Sequence, residues 1–229
     1  MTTNNAVDVG LSGSTGTGNF VGSTSPTITT PKIITQVNDT NGNAIIGITP
    51  NSSAVNYIDI ANNSTGNAPE INSQGSDTNI PLILNTIGTG GVALKGTGTN
   101  DNASSGFVGQ LVSSVIAFAS AVSLSSGSDS NVTSISLTAG DWDVWGNISL
   151  TANIAMSSGF GWISTTSATT PDVSLYVGLS NQNAPFMGFS VPSQRFSFST
   201  TTTVYLSTQC SFASGTGSAC GGIYARRRR

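Results

Sequence analysis

Two carboxylates, Asp141 and Asp143, stand in the run Asp141-Trp142-Asp143-Val144-Trp145-Gly146-Asn147-Ile148 and are the nearest approach to a chemical pair in the chain. Residues two apart on a strand share a face, so the pair could offer hard oxygen ligands to Ca²⁺ or serve as the acid and base of a glycosidase. Two carboxylates make too small a cage for a cation, and nothing around them in sequence supplies a cleft, so a solvated or turn-capping pair is the expected role. Strand alternation sends Trp142, Val144 and Ile148 inward and Asp141, Asp143 and Trp145 outward. An outward tryptophan has three readings: a bulge turns it into the core, it packs on a neighbouring subunit, or it offers a flat apolar face to a sugar. Subunit packing ranks first, and Trp145, Tyr176, Asp141 and Asp143 are the candidates for trimer or receptor contact.

Other reactive groups are scarce. The chain has no histidine, which removes Ser-His-Asp, Cys-His and histidine-metal schemes together. Cys210 and Cys220 flank Ala213 to Gly217, and a hairpin centred on position 215 would set them opposite each other, within disulfide reach by distance. Such a bridge is often strained, and a cytoplasmic origin favours two free, buried thiols. Gly88-Thr89-Gly90-Gly91 and Gly96-Thr97-Gly98 neither open a helix nor carry the lysine and hydroxyl of a phosphate loop, so both read as turns. No catalytic residue, metal or cofactor is expected, and the chain does not read as an enzyme.

Charge narrows the partners. Seven Lys and Arg stand against ten Asp and Glu, for a net charge of −3. Four of the seven are the closing run Arg226 to Arg229, which leaves Lys32, Lys95 and Arg195 against every carboxylate in the body. A body this acidic does not bind nucleic acid, and the arginine run, lacking interleaved aromatics, reads as structural. The first twenty residues hold no Lys or Arg and no apolar core of the secretory kind, so synthesis and folding in a cytoplasm are expected. The longest apolar stretch, around Val115 to Ala119, falls far short of the roughly 20 residues of a membrane span.

Ser, Thr, Asn and Gly fill most polar positions, while runs rich in Val, Ile, Thr, Phe and Tyr are punctuated by Gly, Asn, Pro and Ser. Helical periodicity is lacking, and the chain reads as all-β. Residues 1–31 hold only scattered apolar groups and cannot bury a core, so they are a disordered or docking arm. Residues 32–95 read as short strands, with a hairpin over Ile33–Val37 and Ile45–Ile48 closed by Asn41-Gly42. Ile58, Ile60 and Gly66 recur 24 positions later as Leu82, Leu84 and Gly90. Short repeated units of this kind bury their apolar faces by stacking or by winding with other copies, which points to an intertwined β shaft. Residues 96–106 form a linker. Beyond it, over residues 107–229, the strands lengthen: Ile116, Phe118, Val122 and Leu124 share a face, Val173, Leu175, Val177 and Leu179 alternate with Ser174, Tyr176 and Gly178, and Val204, Leu206, Cys210 and Phe212 share another. Such strands suit a β-sandwich or jelly roll.

The opening GLSGSTGTGNFVGSTSPTITTP and the stretches GTGTNDNASSGFVGQLVSS, VTSISLTAGDWDVWGNISL, VPSQR, TTTTVYLSTQCSF and IYARRRR resemble the short tail-fibre, receptor-binding proteins of tailed bacteriophages and prophages. The resemblance implies a homotrimeric virion fibre. An N-terminal arm, with Leu11, Phe20 and Val21 as contact candidates, would attach it to another virion structural protein. An intertwined shaft would follow, and a C-terminal β-sandwich knob would bind a bacterial surface glycan or protein without covalent chemistry. Virion decoration and head-fibre proteins are similar, and a secreted bacterial adhesin could share the composition, although the missing leader opposes it. In a trimer the closing arginines bring positive charge together, so Asp141, Asp143 and Asp172 are expected to neutralise them where the last strand, Ile223 to Ala225, ends.

Overall fold

The computed structural model describes residues 36–229 except 97, 99 and 100; the arm and its candidates Leu11, Phe20 and Val21 lie outside the described residues. The chain is nearly all β. The described residues fall into two units, 36–94 and from 95 to 229.

The first unit contains two separate hairpins. Strands β1 (Gln36–Asn38) and β2 (Ala44–Gly47) pair antiparallel. Between them the Asp39 carboxylate accepts hydrogen bonds from the backbone N–H groups of Asn41 and Asn43, and Gly42 takes the positive φ that closes the turn. These bonds, led by those from Asn43, hold the Asp39 carboxyl below its usual range. Strands β3 (Asn56–Ala61) and β4 (Glu70–Gly75) form the second pair. The sequence echo fails to repeat this geometry. Ile58 and Ile60 lie in β3, but Leu82 and Leu84 lie in a segment with no strand partner, and the positive φ falls on Gly88 where the echo places Gly90. No described residue of this unit is buried: Ile60 is 72% exposed, Ile87 97% and Leu94 87%.

The second unit is built on two long strands. β8 (Gly140–Ser164) and β9 (Tyr176–Phe198) run antiparallel along almost their whole lengths, from Gly140 opposite Phe198 to Trp162 opposite Tyr176. The ladder is interrupted between Thr151 and Ser158, and there the pair changes neighbours. The first half of β8 pairs with β11 (Gly217–Arg227), and the second half with β10 (Thr202–Phe212). Outside β11 lie β5 (Leu111–Ile116) and β6 (Val122–Leu124); outside β10 lies β7 (Ser130–Leu137). The result is one large, nearly closed sheet wrapped round a single core. Its two ends meet where Ser114 Oγ and Thr133 Oγ1 lie 2.6 Å apart.

Sequence parity explains the core. Val144, Ile148 and Leu150 of β8 face inward with Ile223 and Ala225 of β11 and Val204 and Leu206 of β10, all essentially inaccessible to water. The second half of β8 must pack against its own first half, and two glycines make this possible. A side chain at Gly159 would stand 2.6 Å from Leu150, and one at Gly161 would stand 2.5 Å from both Ile148 and the Phe189 ring. Small residues facing large ones let the layers close to contact distance. The two remaining runs depart from simple alternation. Phe118 lies in a single 3₁₀ turn, Phe118–Ser120, and is exposed. Val173 and Leu175 form another, Val173–Leu175, and with Leu179 they face solvent, so only Val177 of that run packs on the core.

The cysteine geometry also differs from expectation. β10 and β11 follow each other in sequence but do not pair; each pairs with a different half of β8, so Cys210 lies opposite Gly159 and Cys220 opposite Ser149. Both thiols are free, and burial pushes that of Cys210 above its ordinary pKa.

Candidate binding surface

The outer face of the sheet formed by β5, β11, the first half of β8 and the end of β9 carries the candidate site. The β8–β11 register runs unbroken from Gly217 opposite Ala152 to Arg227 opposite Trp142, which keeps Trp145 outward and opposite Tyr224. A bulge does exist, but on the other side. β9 slips between Gln194 and Val191, where Pro192 cannot donate to the ladder, and the slip falls opposite Trp145 without turning it inward. The Trp145 and Tyr224 rings lie within 18° of parallel with centroids 5.9 Å apart. Tyr224 lies down along its strand because Gly222 has no side chain: a Cβ there would meet the Tyr224 hydroxyl at 2.8 Å. Both rings are half-buried; the positions beside them on the sheet are Asn147, Ser190, Asp143 and Arg226, with Ser113 of β5 opposite Tyr224 and Val115, which is exposed, opposite Gly222.

Asp141 is not outward and solvated. It is 2% exposed, 2.8 Å from Arg195 and in direct contact with Arg229. The hydrogen bond from Ser197, then that from Arg195, outweigh burial and lower its pKa from 3.8 to about 2. Asp143 pairs at 3.5 Å with Arg228. Asp172, expected among the arginines, instead accepts from the Ser174 backbone and hydroxyl and caps a 3₁₀ turn, which lowers its pKa. Nor do the arginines begin where the sheet ends. β11 extends through Arg226 and Arg227, and Arg228 N–H and Arg229 carbonyl continue the pairing with Asp141. Arg227 falls on the inward face, 5% exposed. Its guanidinium lies 4.4 Å from the centre of the Trp142 ring and donates to Thr138 Oγ1 and the Ala139 carbonyl. It closes the end of the core as a cation on an aromatic face with its donors satisfied.

Tyr176 does not join this surface. It sits on the second half of the sheet, edge-to-face with Phe160 at 5.3 Å, and lines an open cleft of about 340 Å³ with Pro192, Gln194 and Arg195. Nearby, Trp162 is fully buried although it lies outside the core cluster. Its register neighbour Ser207 bonds to Asn131, whose carbonyl also holds the backbone of Ala168, while Asp129 holds Thr170. Sequence reasoning missed Tyr224 and the Arg227–Trp142 pair. Parity from Ile223 and Ala225 could have placed Tyr224 outward, but its register against Trp145 is a long-range fact.

No protein-family description and no curated protein matches this chain. Among solved structures, the infectious bursal disease virus VP2 subviral particle is similar over 52% of this chain and 32% of its own, with 13% identity and a TM-score of 0.33. The structure of the Gx strain of infectious bursal disease virus has the same coverages, 15% identity and a TM-score of 0.31. The chain thus spans about a third of the length of either, at 32%.

Proposed function

We propose that the chain is a structural protein of a virus particle, a homotrimeric fibre that attaches the particle to a bacterial surface by non-covalent binding. The observation that carries this reading is the contrast between the units. The second has a complete core of its own, whereas the first presents Ile45, Ile58, Ile60, Leu84 and Ile87 to solvent and leaves its last segment without strand partners. Exposed apolar strands with open edges are surfaces for other chains, and copies of the same chain satisfy them in register. In this reading residues 32–95 wind as a shaft. Residues 1–31, through Leu11, Phe20 and Val21, dock on another virion protein. The second unit is the knob, a sandwich of jelly-roll type in which the bent β8–β9 hairpin crosses both layers. Three knobs per fibre multiply weak individual contacts.

Sedimentation of the full chain is the test: a species of three 23.2 kDa chains is expected, and a well-folded monomer at micromolar concentration overturns the reading.

A further inference from the structure

We infer that the outer face of β5, β11 and the first half of β8 is where the second unit meets a second copy of the chain. The inference rests on the trimer proposed above and gives it a contact outside residues 32–95. Charge enters this face at the row of Leu111, Arg226, Asp143 and Arg195, toward the end of β11; the neighbouring rows, through Ser113 and through Val115, carry none. Those two rows hold a continuous apolar ridge. A Val115 methyl and the Tyr224 hydroxyl crowd over Gly222, 3.0 and 2.8 Å from where its Cβ would stand, and the Tyr224 ring stacks on Trp145. Val115 is 59% exposed, and Phe118, just past the end of β5, is 68% exposed. An aromatic and aliphatic centre with arginine at its rim is the anatomy of a protein contact, and solvent screens the exposed Arg226 there.

The size of the ridge decides which partner can hold it. Two half-buried rings with Val115 and Leu111 present on the order of 300 Å² of apolar surface, short of the ~800 Å² per partner that free association needs. A partner captured from solution would be held poorly. Chains already joined through residues 32–95 keep copies of this face at an effective concentration on the order of millimolar, at which a weak contact stays filled. A second copy is the partner tethered in that way. The other side of the unit is built against such contact: β9, which pairs with β8 alone among the described strands, carries Pro185 and Pro192, residues that keep an edge strand from joining another, whereas β5 and β11 carry no proline.

Two native side chains report on this face in the full-length protein. Trp142 and Trp162 are 0% exposed, so acrylamide quenching reads chiefly Trp145. Cys210 is buried, so alkylation by a maleimide reads chiefly Cys220, two positions along β11 from Gly222. Both are expected to be shielded in the native protein. Val115→Glu sets a carboxylate on the ridge without entering the core, so circular dichroism should be unchanged while quenching and alkylation each rise about threefold or more, because a charge pressed against a desolvated partner opposes the contact. Val173→Glu, the same change at a position 70% exposed elsewhere in the unit, is the control and should alter neither. Two outcomes overturn the inference: Trp145 and Cys220 are as open in the native chain as in Val115→Glu, which leaves the face to another partner, or Val173→Glu opens them as far. Sedimentation of the same samples keeps the two proposals apart. Three chains with an open face remove this contact and leave the trimer standing, whereas a monomer removes both.

Discussion

Asp141 shows how one side chain can change meaning between sequence and structure. Its carboxylate looks like half of a chemical pair, yet it is committed to Ser197, Arg195 and Arg229. A carboxyl whose pKa falls from 3.8 to about 2 on folding contributes stability that is present above the unfolded value and is lost as pH falls through the folded one. The melting temperature is therefore expected to decline between about pH 4 and pH 2, and Asp141→Asn should flatten that decline while lowering stability near neutrality. A pH series of thermal melts on both proteins checks this. Arg227 offers the complementary case. Replacing it with alanine takes a donor from the Ala139 carbonyl and from the Thr138 hydroxyl and removes the cation from the Trp142 face. Denaturant unfolding should show a loss of about 2 kcal/mol. Arg226→Ala, one residue away but exposed, should cost little.

At the scale of the element, β8 packs against itself and depends on Gly159 and Gly161. Gly161→Ala places a methyl group into Ile148 and Phe189 and is expected to cost about 1–3 kcal/mol. Gly188→Ala is the control, because its nearest neighbours stand at 3.8 Å or beyond and it should be close to neutral. Urea titrations of the pair measure the difference. These glycines mark the limit of what the sequence discloses. Period-two alternation located the all-β class and sent Trp142, Val144 and Ile148 inward, because that information is local. It did not reveal that a strand of 25 residues bends to face itself, or that β10 and β11 part company at residue 213, because those follow from pairings distant in the chain. The candidate surface divides the same way. Trp145 was readable as an outward aromatic, whereas its partner Tyr224 depends on a register spanning some eighty residues. Asp172 was misplaced because its own neighbour Ser174 satisfies it first.

For the whole molecule, the two units predict distinct responses to protease. Lys95 is exposed at the boundary, while Arg195, Arg226 and Arg227 lie within β9 and β11. Trypsin should release a resistant fragment beginning at Gly96 and trimmed no further than the closing arginines, retaining the near-ultraviolet dichroism of all three tryptophans. Early cuts within residues 107–225, seen by mass spectrometry, would mean that the second unit does not stand alone. The place of β11 in that unit has a consequence for how the protein is made. It is the last strand in chain order, yet it lies between β5 and β8, holding both. A nascent chain can carry every other strand off the ribosome and still lack the one that joins them, so the domain stays open until synthesis has passed residue 227. A chain cut short before β11 therefore lacks the strand that joins β5 to β8 and cannot complete this unit.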